Sequence, residues 1–291
     1  MAASNDLVRV DSLEPVRLQP ERDSFLKDGS GPQRFSSQRT KDFRHIPLDD
    51  HAKQVRLCRV LPPSEDARLT VSLEVHNLDS VAGHFVALSY VWGSTDRMEP
   101  IRVNGIQHDI TYNLHTQLCR VRALGYDGLL WNDALCIDQL NKSERSAQVA
   151  MMDRIFRAAD EVFIGLDDDV RSLSEAAADH AVISTTVKEL ASGVHLRDLR
   201  YFYNSKMNGT AGLSVARLLR RFLCSAWFQR VWCVQEICLA RKATLILASG
   251  FLSWKTFTLA FEQWHKHRRG RCCSDFFETL DVQLTAKFHQ V

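Results

Sequence analysis

The sequence predicts an α/β domain in which a mainly parallel sheet is flanked by helices, with an extra β region near the N-terminus. Two observations carry this. From about residue 85 onward, short apolar runs alternate with stretches of helical period, and that alternation packs as parallel strands joined by crossover helices. Upstream, Gln54–Val60 (QVRLCRV) and Leu69–Val75 (LTVSLEV) alternate as strands do, and Pro62-Pro63 stops the first of them.

The elements follow in order. Phe85–Val91 (FVALSYV) is a short apolar run and reads as a buried strand ending in Trp92-Gly93-Ser94. Asn104-Gly105 is a hairpin signal between two short strands. Helical spacing runs from Asn113, a candidate cap, to Leu124, and Leu129–Trp131 is a second buried strand closed by Asn132-Asp133. Asn141 with Glu144 reads as a capping box opening a helix whose core face carries Val149, Met152, Phe156 and Ala159, leaving Gln148 exposed. Glu161–Leu166 is a strand ended by Asp167-Asp168-Asp169. Helical character returns over Leu173–Leu190 and, after a loop near 205–212, over Val215–Ala240, before a last buried strand at Thr244–Leu247.

Residues 1–42 are polar and without period, so they read as a disordered N-terminal arm. Residues 43–262 form the domain, and 263–291 read as a basic C-terminal tail or an incomplete extension.

Composition narrows the function classes. The 37 basic and 35 acidic residues leave a net charge of +2, which gives no global attraction to nucleic acid or anionic membrane. The 8 cysteines include no CxxC pair, so reduced thiols and no structural metal are expected. No secretory or mitochondrial leader and no membrane-length apolar run are evident, which points to the cytoplasm. The run from Trp264 to Cys273 mixes His, Cys and basic residues, but its spacing fits no common metal module and it reads as a solvated charge run. The Asp167–Asp169 cluster lacks the glycine and distal glutamate of a calcium loop, and there is no glycine-rich phosphate loop.

Four segments in order resemble the fungal heterokaryon incompatibility (HET) domain family. They are Ala87–Gly93 (ALSYVWG), Leu130–Gln139 (LWNDALCIDQ), the series Glu144-Arg145, Gln148-Val149 and Met152 running on to Ala159 and Val162, and Trp227–Glu236 (WFQRVWCVQE). Asn132 and Asp138 depart from the family pattern, which usually has a β-branched residue and Asn there. The HET domain is in turn similar to the TIR domain, a flavodoxin-like sheet used in immune signalling. Ser89-Tyr90 and the loop after it look like the first TIR strand and its ligand-facing loop, and Trp232-Cys233-x-x-Glu236 looks like the TIR catalytic helix.

The resemblance implies an intracellular effector of heterokaryon incompatibility and programmed cell death, with NAD as substrate and no tightly bound cofactor. It implies that Glu236 is catalytic and that Tyr90, Trp92, Gly93, Ser94, Asp133 and Trp232 face the ligand. The chemistry is coherent: nicotinamide leaves NAD as a neutral molecule, so one carboxylate beside the oxocarbenium-like ribose suffices. A different class of function, a non-catalytic signalling module acting by self-association or partner binding, stays open. So do structural readings of the same residues. Glu236 reads equally as a solvated helix residue or an ion-pair partner of Arg230 or Lys242, Trp92, Trp131 and Trp232 as core aromatics, and Asp133 as a turn cap.

Overall fold

The computed structural model describes residues 43–63, 68–166, 173–201 and 218–270. The expected N-terminal arm, the Asp167–Asp169 cluster, the 205–212 loop and the chain beyond 270 lie outside these residues.

One sheet organises the described chain. Its strands are β1 (Gln54–Val60), β2 (Thr70–Asn77), β3 (Phe85–Tyr90), β4 (Met98–Val103), β5 (Ile106–Thr111), β6 (Leu129–Trp131), β7 (Glu161–Gly165), β8 (Ala243–Leu247) and β9 (Gly250–Ser253). Their spatial order is β5-β4-β2-β1-β6-β3-β7-β8-β9. The helices are α1 (Tyr112–Ala123), α2 (Asp133–Cys136), α3 (Lys142–Ala150), α4 (Met152–Ala158), α5 (Leu173–Ala191), α6 (Val231–Leu239) and α7 (Trp254–Arg269).

The α/β class is as the sequence predicts, but the sheet is mixed and not mainly parallel. Strands β6, β3, β7 and β8 are mutually parallel, as helical crossovers allow. The pairs β1–β2, β4–β5 and β8–β9 are antiparallel. The reason, for β4–β5 and β8–β9, is connection length: two residues join each of these pairs, and a parallel pair needs a longer crossover. At the β4–β5 turn, Asn104 and Gly105 have φ of 49° and 80°, the left-handed pair a tight hairpin requires. The expected extra β region is the β5-β4-β2-β1 side of the sheet, joined to β6 through the Cys58–Leu130 pairing. The core lies on the sheet, with β3 buried along its whole length.

Several elements differ from the sequence reading in instructive ways. Thr111, not Asn113, caps α1, accepting from the Leu114 N–H. Asn113 turns outward and donates to the Val91 carbonyl. The helix expected after Asn141 is two helices that meet at Met151, whose N–H bonds back to Gln148 O in a tightened turn. That break rotates the faces. Val149 is 51% exposed, whereas Gln148 is fully buried and donates to the carbonyls of His51 and Gln54. Asn141 does cap α3, but Glu144 does not complete a box. Its carboxylate is buried against the Arg56 guanidinium in a two-pronged pair and accepts from the Asp138 N–H.

The helix expected over 215–240 is interrupted by a 3-10 turn at Ala226–Gln229, capped by Ser225, and by Arg230 in extended conformation. Strand β9 and helix α7 follow where the sequence reading stopped. Helix α7 packs on α5 and runs through to Arg269, so the expected 262/263 boundary falls inside it. The basic cluster from Lys266 to Arg269 is its last turn, where cations favour the helix dipole. Among the described residues no helix is long and apolar enough to cross a membrane.

Candidate functional site

The site begins at the carboxyl end of β3. From β3 the chain goes to β6 on one side and later to β7 on the other, so the direction of winding reverses at this strand. In doubly wound sheets such a reversal leaves a crevice beyond the strand ends. Ser89 and Tyr90 end β3, Asp133 follows β6, and α6, which packs on β3 and α4, brings Glu236.

Glu236 is not a solvated helix residue. It is 7% exposed and its Oε2 accepts a hydrogen bond from the Ser89 hydroxyl. Ser89 Oγ in turn accepts from the indole N–H of Trp227 at 2.8 Å. A relay therefore runs from Trp227 through Ser89 to the carboxylate. Burial holds the Glu236 carboxyl above the usual range and the nearby Asp133 charge adds to this, while the Ser89 bond and the Arg230 charge oppose it. Neither expected ion-pair partner binds it: Lys242 pairs with Asp160 at 3.7 Å, and Arg230 donates to the Tyr90 carbonyl.

Asp133 is a second carboxylate within electrostatic reach. Asn132, not Asp133, caps α2, which leaves the Asp133 side chain free of that duty. Its Oδ2 accepts from the Trp92 indole N–H at 2.8 Å, and its Oδ1 is buried without a partner among the described residues. Burial raises its carboxyl, against the Trp92 bond. The Tyr90 hydroxyl is also buried, beside Asp133, and makes no well-formed hydrogen bond among the described residues. Burial, followed by the Asp133 charge, pushes that phenol far up.

The other expected site residues divide. Trp92 is 38% exposed and lies over Asp133, so it is no core aromatic. Trp131 is one: it is buried edge-to-face against Phe156. Gly93 has a φ of 77° and shapes the loop. Ser94 closes a turn on Asp96, donating to its carboxylate and accepting from its N–H. Trp232 lies on α6, but its side chain is outside the described residues. Cys233 packs beside Glu236, and burial pushes its thiol up to about 12, which suits packing over reactivity.

Glu236 also lines a cavity of about 290 Å³ with Val149, Ala150, Met152, Asp153, Phe156 and Leu239. This opening lies on the α3–α4 side; the 92–94 loop and Asp133 do not line it. Sequence reasoning missed Ser89, Trp227 and Arg230 as parts of the site. One signal was available for Ser89: a small hydroxyl side chain inside a run of apolar and aromatic residues has to find a partner.

Comparison with known proteins places these residues in a family context. The family described as heterokaryon incompatibility protein (HET) matches residues 85–236, a span that opens at the first residue of β3 and closes on Glu236. Heterokaryon incompatibility protein 6, OR allele, of Neurospora crassa is 28% identical over 200 residues, covering 57% of this chain. The chain spans 29% of that relative's length. No solved structure matches the chain.

Proposed function

Because the chain belongs to the heterokaryon incompatibility (HET) family, we propose that it is an intracellular effector of non-self recognition and cell death that acts by cleaving NAD. The observation that carries this reading is the setting of Glu236: a buried carboxylate, held by Ser89, beside a second carboxylate and open to a cavity. The order of the four parallel strands, β6-β3-β7-β8, supports a flavodoxin- and TIR-like arrangement, in which the first strand lies between the second and third.

In the proposed reaction, water replaces nicotinamide at the ribose carbon, giving ADP-ribose, neutral nicotinamide and a proton. As the bond to nicotinamide breaks, positive charge moves onto the ribose. Glu236, in its ionised form and held in place, stabilises that charge without reorganising. Ser89 keeps the carboxylate in place, and its own orientation is fixed by Trp227. Asp133 and Tyr90 supply further polar atoms at the same strand ends.

The test is NAD consumption by the purified full chain at high concentration, beside Glu236→Gln. That substitution keeps the side-chain shape and removes the charge. Loss of about a hundredfold or more in rate is expected, as for removal of other charge-stabilising groups. An unchanged rate, or overexpression toxicity that survives the substitution, favours the non-catalytic signalling module instead.

A further inference from the structure

The cavity beside Glu236 has a composition that specifies a ligand class. Its walls are Val149, Met152, Phe156 and Leu239, with Ala150 at the opening, and its two charged groups are both carboxylates, Asp153 and Glu236. Among the described residues no basic side chain lines it. Asp153 is exposed at the mouth and makes no hydrogen bond or ion pair among the described residues. Glu236 lies deeper; Oε2 is held by Ser89, and Oε1 makes no hydrogen bond among the described residues. Arg230 reaches this carboxylate through its field only, because its guanidinium is tied to the Tyr90 carbonyl.

Two unpaired carboxylate groups set in an apolar, partly aromatic wall are poorly matched to an anion and only half used by a neutral guest. The complementary ligand has an apolar body and a positive charge. The volume, about 290 Å³, is at the lower end of small-ligand pockets, so a single substituted ring fits where a whole dinucleotide does not. Phe156 is fixed edge-to-face on Trp131, which makes that wall rigid and suited to a flat group.

We infer that the α3–α4 cavity is a subsite for a flat organic cation of the N-substituted pyridinium class, with Asp153 at the mouth and Glu236 at the floor as its charge-recognising groups. This rests on the reading of Glu236 as the centre of the site, and it assigns α3 and α4 the part of the substrate that carries the positive charge. Asp153 is a specificity-determining residue here: it attracts the cation before the buried carboxylate does.

The experiment uses the full chain and two probes of nearly equal shape, 1-methylnicotinamide (cationic) and nicotinamide (neutral), titrated by ligand-observed NMR. The cation binds about tenfold more tightly, the scale of a charge-assisted contact. Asp153→Asn weakens the cation by about two- to fivefold, as an exposed charge pair does, and leaves the neutral probe unchanged. Glu236→Gln weakens the cation more than Asp153→Asn does. Equal binding of the two probes, no binding of the cation at millimolar concentration, or indifference to Asp153→Asn overturns the inference. NAD loss measured in parallel separates the two readings. Cation binding without Glu236-dependent NAD cleavage removes the enzymatic reading alone, and Glu236-dependent cleavage without cation preference removes this one alone.

Discussion

The Ser89 hydroxyl and the Glu236 carboxylate, 147 residues apart in the chain, are hydrogen-bonded in the interior between β3 and α6. The bond does two things. It satisfies a buried hydroxyl, and it favours the ionised form of a carboxyl that burial otherwise pushes toward neutrality.

Ser89→Ala removes both effects. The Trp227 indole N–H then loses the Ser89 oxygen as acceptor, and loss of a buried hydrogen bond costs about 1 kcal/mol in denaturant unfolding. The Glu236 carboxyl moves further up, so the pH profile of NAD cleavage shifts to the alkaline side. Lost stability with an unmoved pH profile would show that Ser89 is a packing residue and not a positioning one.

Glu236→Gln is expected to stabilise the protein near neutral pH. Because the folded-state carboxyl lies above its unfolded value, the folded protein holds that proton more tightly. The stability it contributes is complete below the unfolded value and is lost as pH rises through the folded one. At neutral pH the ionised group is therefore a burden that the amide lacks. A gain of about 0.5–2 kcal/mol is the size of a typical single stabilising substitution. The gain should vanish as the pH falls below the ordinary carboxylate range, and thermal melts of both proteins across pH measure this.

The parts of this molecule that were legible in the sequence are those governed by local pattern. The run at 85–90, the Asn104-Gly105 turn and the helix at 173–191 are set by period and turn chemistry within a few residues. The parts that were not legible depend on distant partners. Gln148 looks like an exposed helix position and Glu144 like a capping-box partner until Arg56 and the backbone of residues 51–54 arrive from β1 and its approach. Glu236 has a plausible ion-pair partner six residues away in Arg230, but the extended conformation of Arg230 directs that side chain to the Tyr90 carbonyl. The mixed sheet was missed because β9 is four residues long and because β1 joins β6, an antiparallel pairing between strands about seventy residues apart that no local period reveals.

The Arg56–Glu144 pair predicts an acid-sensitive fold. Burial acts to raise the Glu144 carboxyl, but the Arg56 hydrogen bonds, the Asp138 N–H and the Arg56 charge together outweigh it and hold the group below the usual range. The stability it supplies is present above the unfolded value and is lost as pH falls through the folded one. Glu144→Gln leaves the buried Arg56 charge unpaired, which costs about 3–5 kcal/mol at neutral pH. The variant should also lose this part of the acid dependence, so its stability curve on the acid side is flatter than that of the wild type. Parallel curves for the two proteins would mean that other carboxylates govern acid unfolding.

Gly93→Ala tests how the loop after β3 holds Trp92 over Asp133. Two penalties combine. The φ of 77° is left-handed, and a residue with a Cβ adopts it at a cost of about 1–2 kcal/mol. The added Cβ would also lie 2.7 Å from Asn113 Nδ2 and 2.8 Å from its Cγ, too close for either atom to stay in place. Asn113 must then release the Val91 carbonyl, which it holds at 3.0 Å, losing about another 1 kcal/mol. Gly105→Ala is the matched control, because its φ is 80° and nothing lies within 4 Å of its Cβ position. It should therefore show only the backbone penalty. The excess cost of Gly93→Ala over Gly105→Ala in denaturant unfolding measures the Asn113 clash, and adding Asn113→Ala to Gly93→Ala should remove most of the steric part. Equal costs for the two glycines would mean that Asn113 moves aside freely and that the loop is not anchored to Val91. With the anchor lost, the Trp92 indole no longer has a fixed path to Asp133 Oδ2. Gly93→Ala should therefore lower NAD cleavage, while Gly105→Ala, in the turn between β4 and β5, leaves it unchanged.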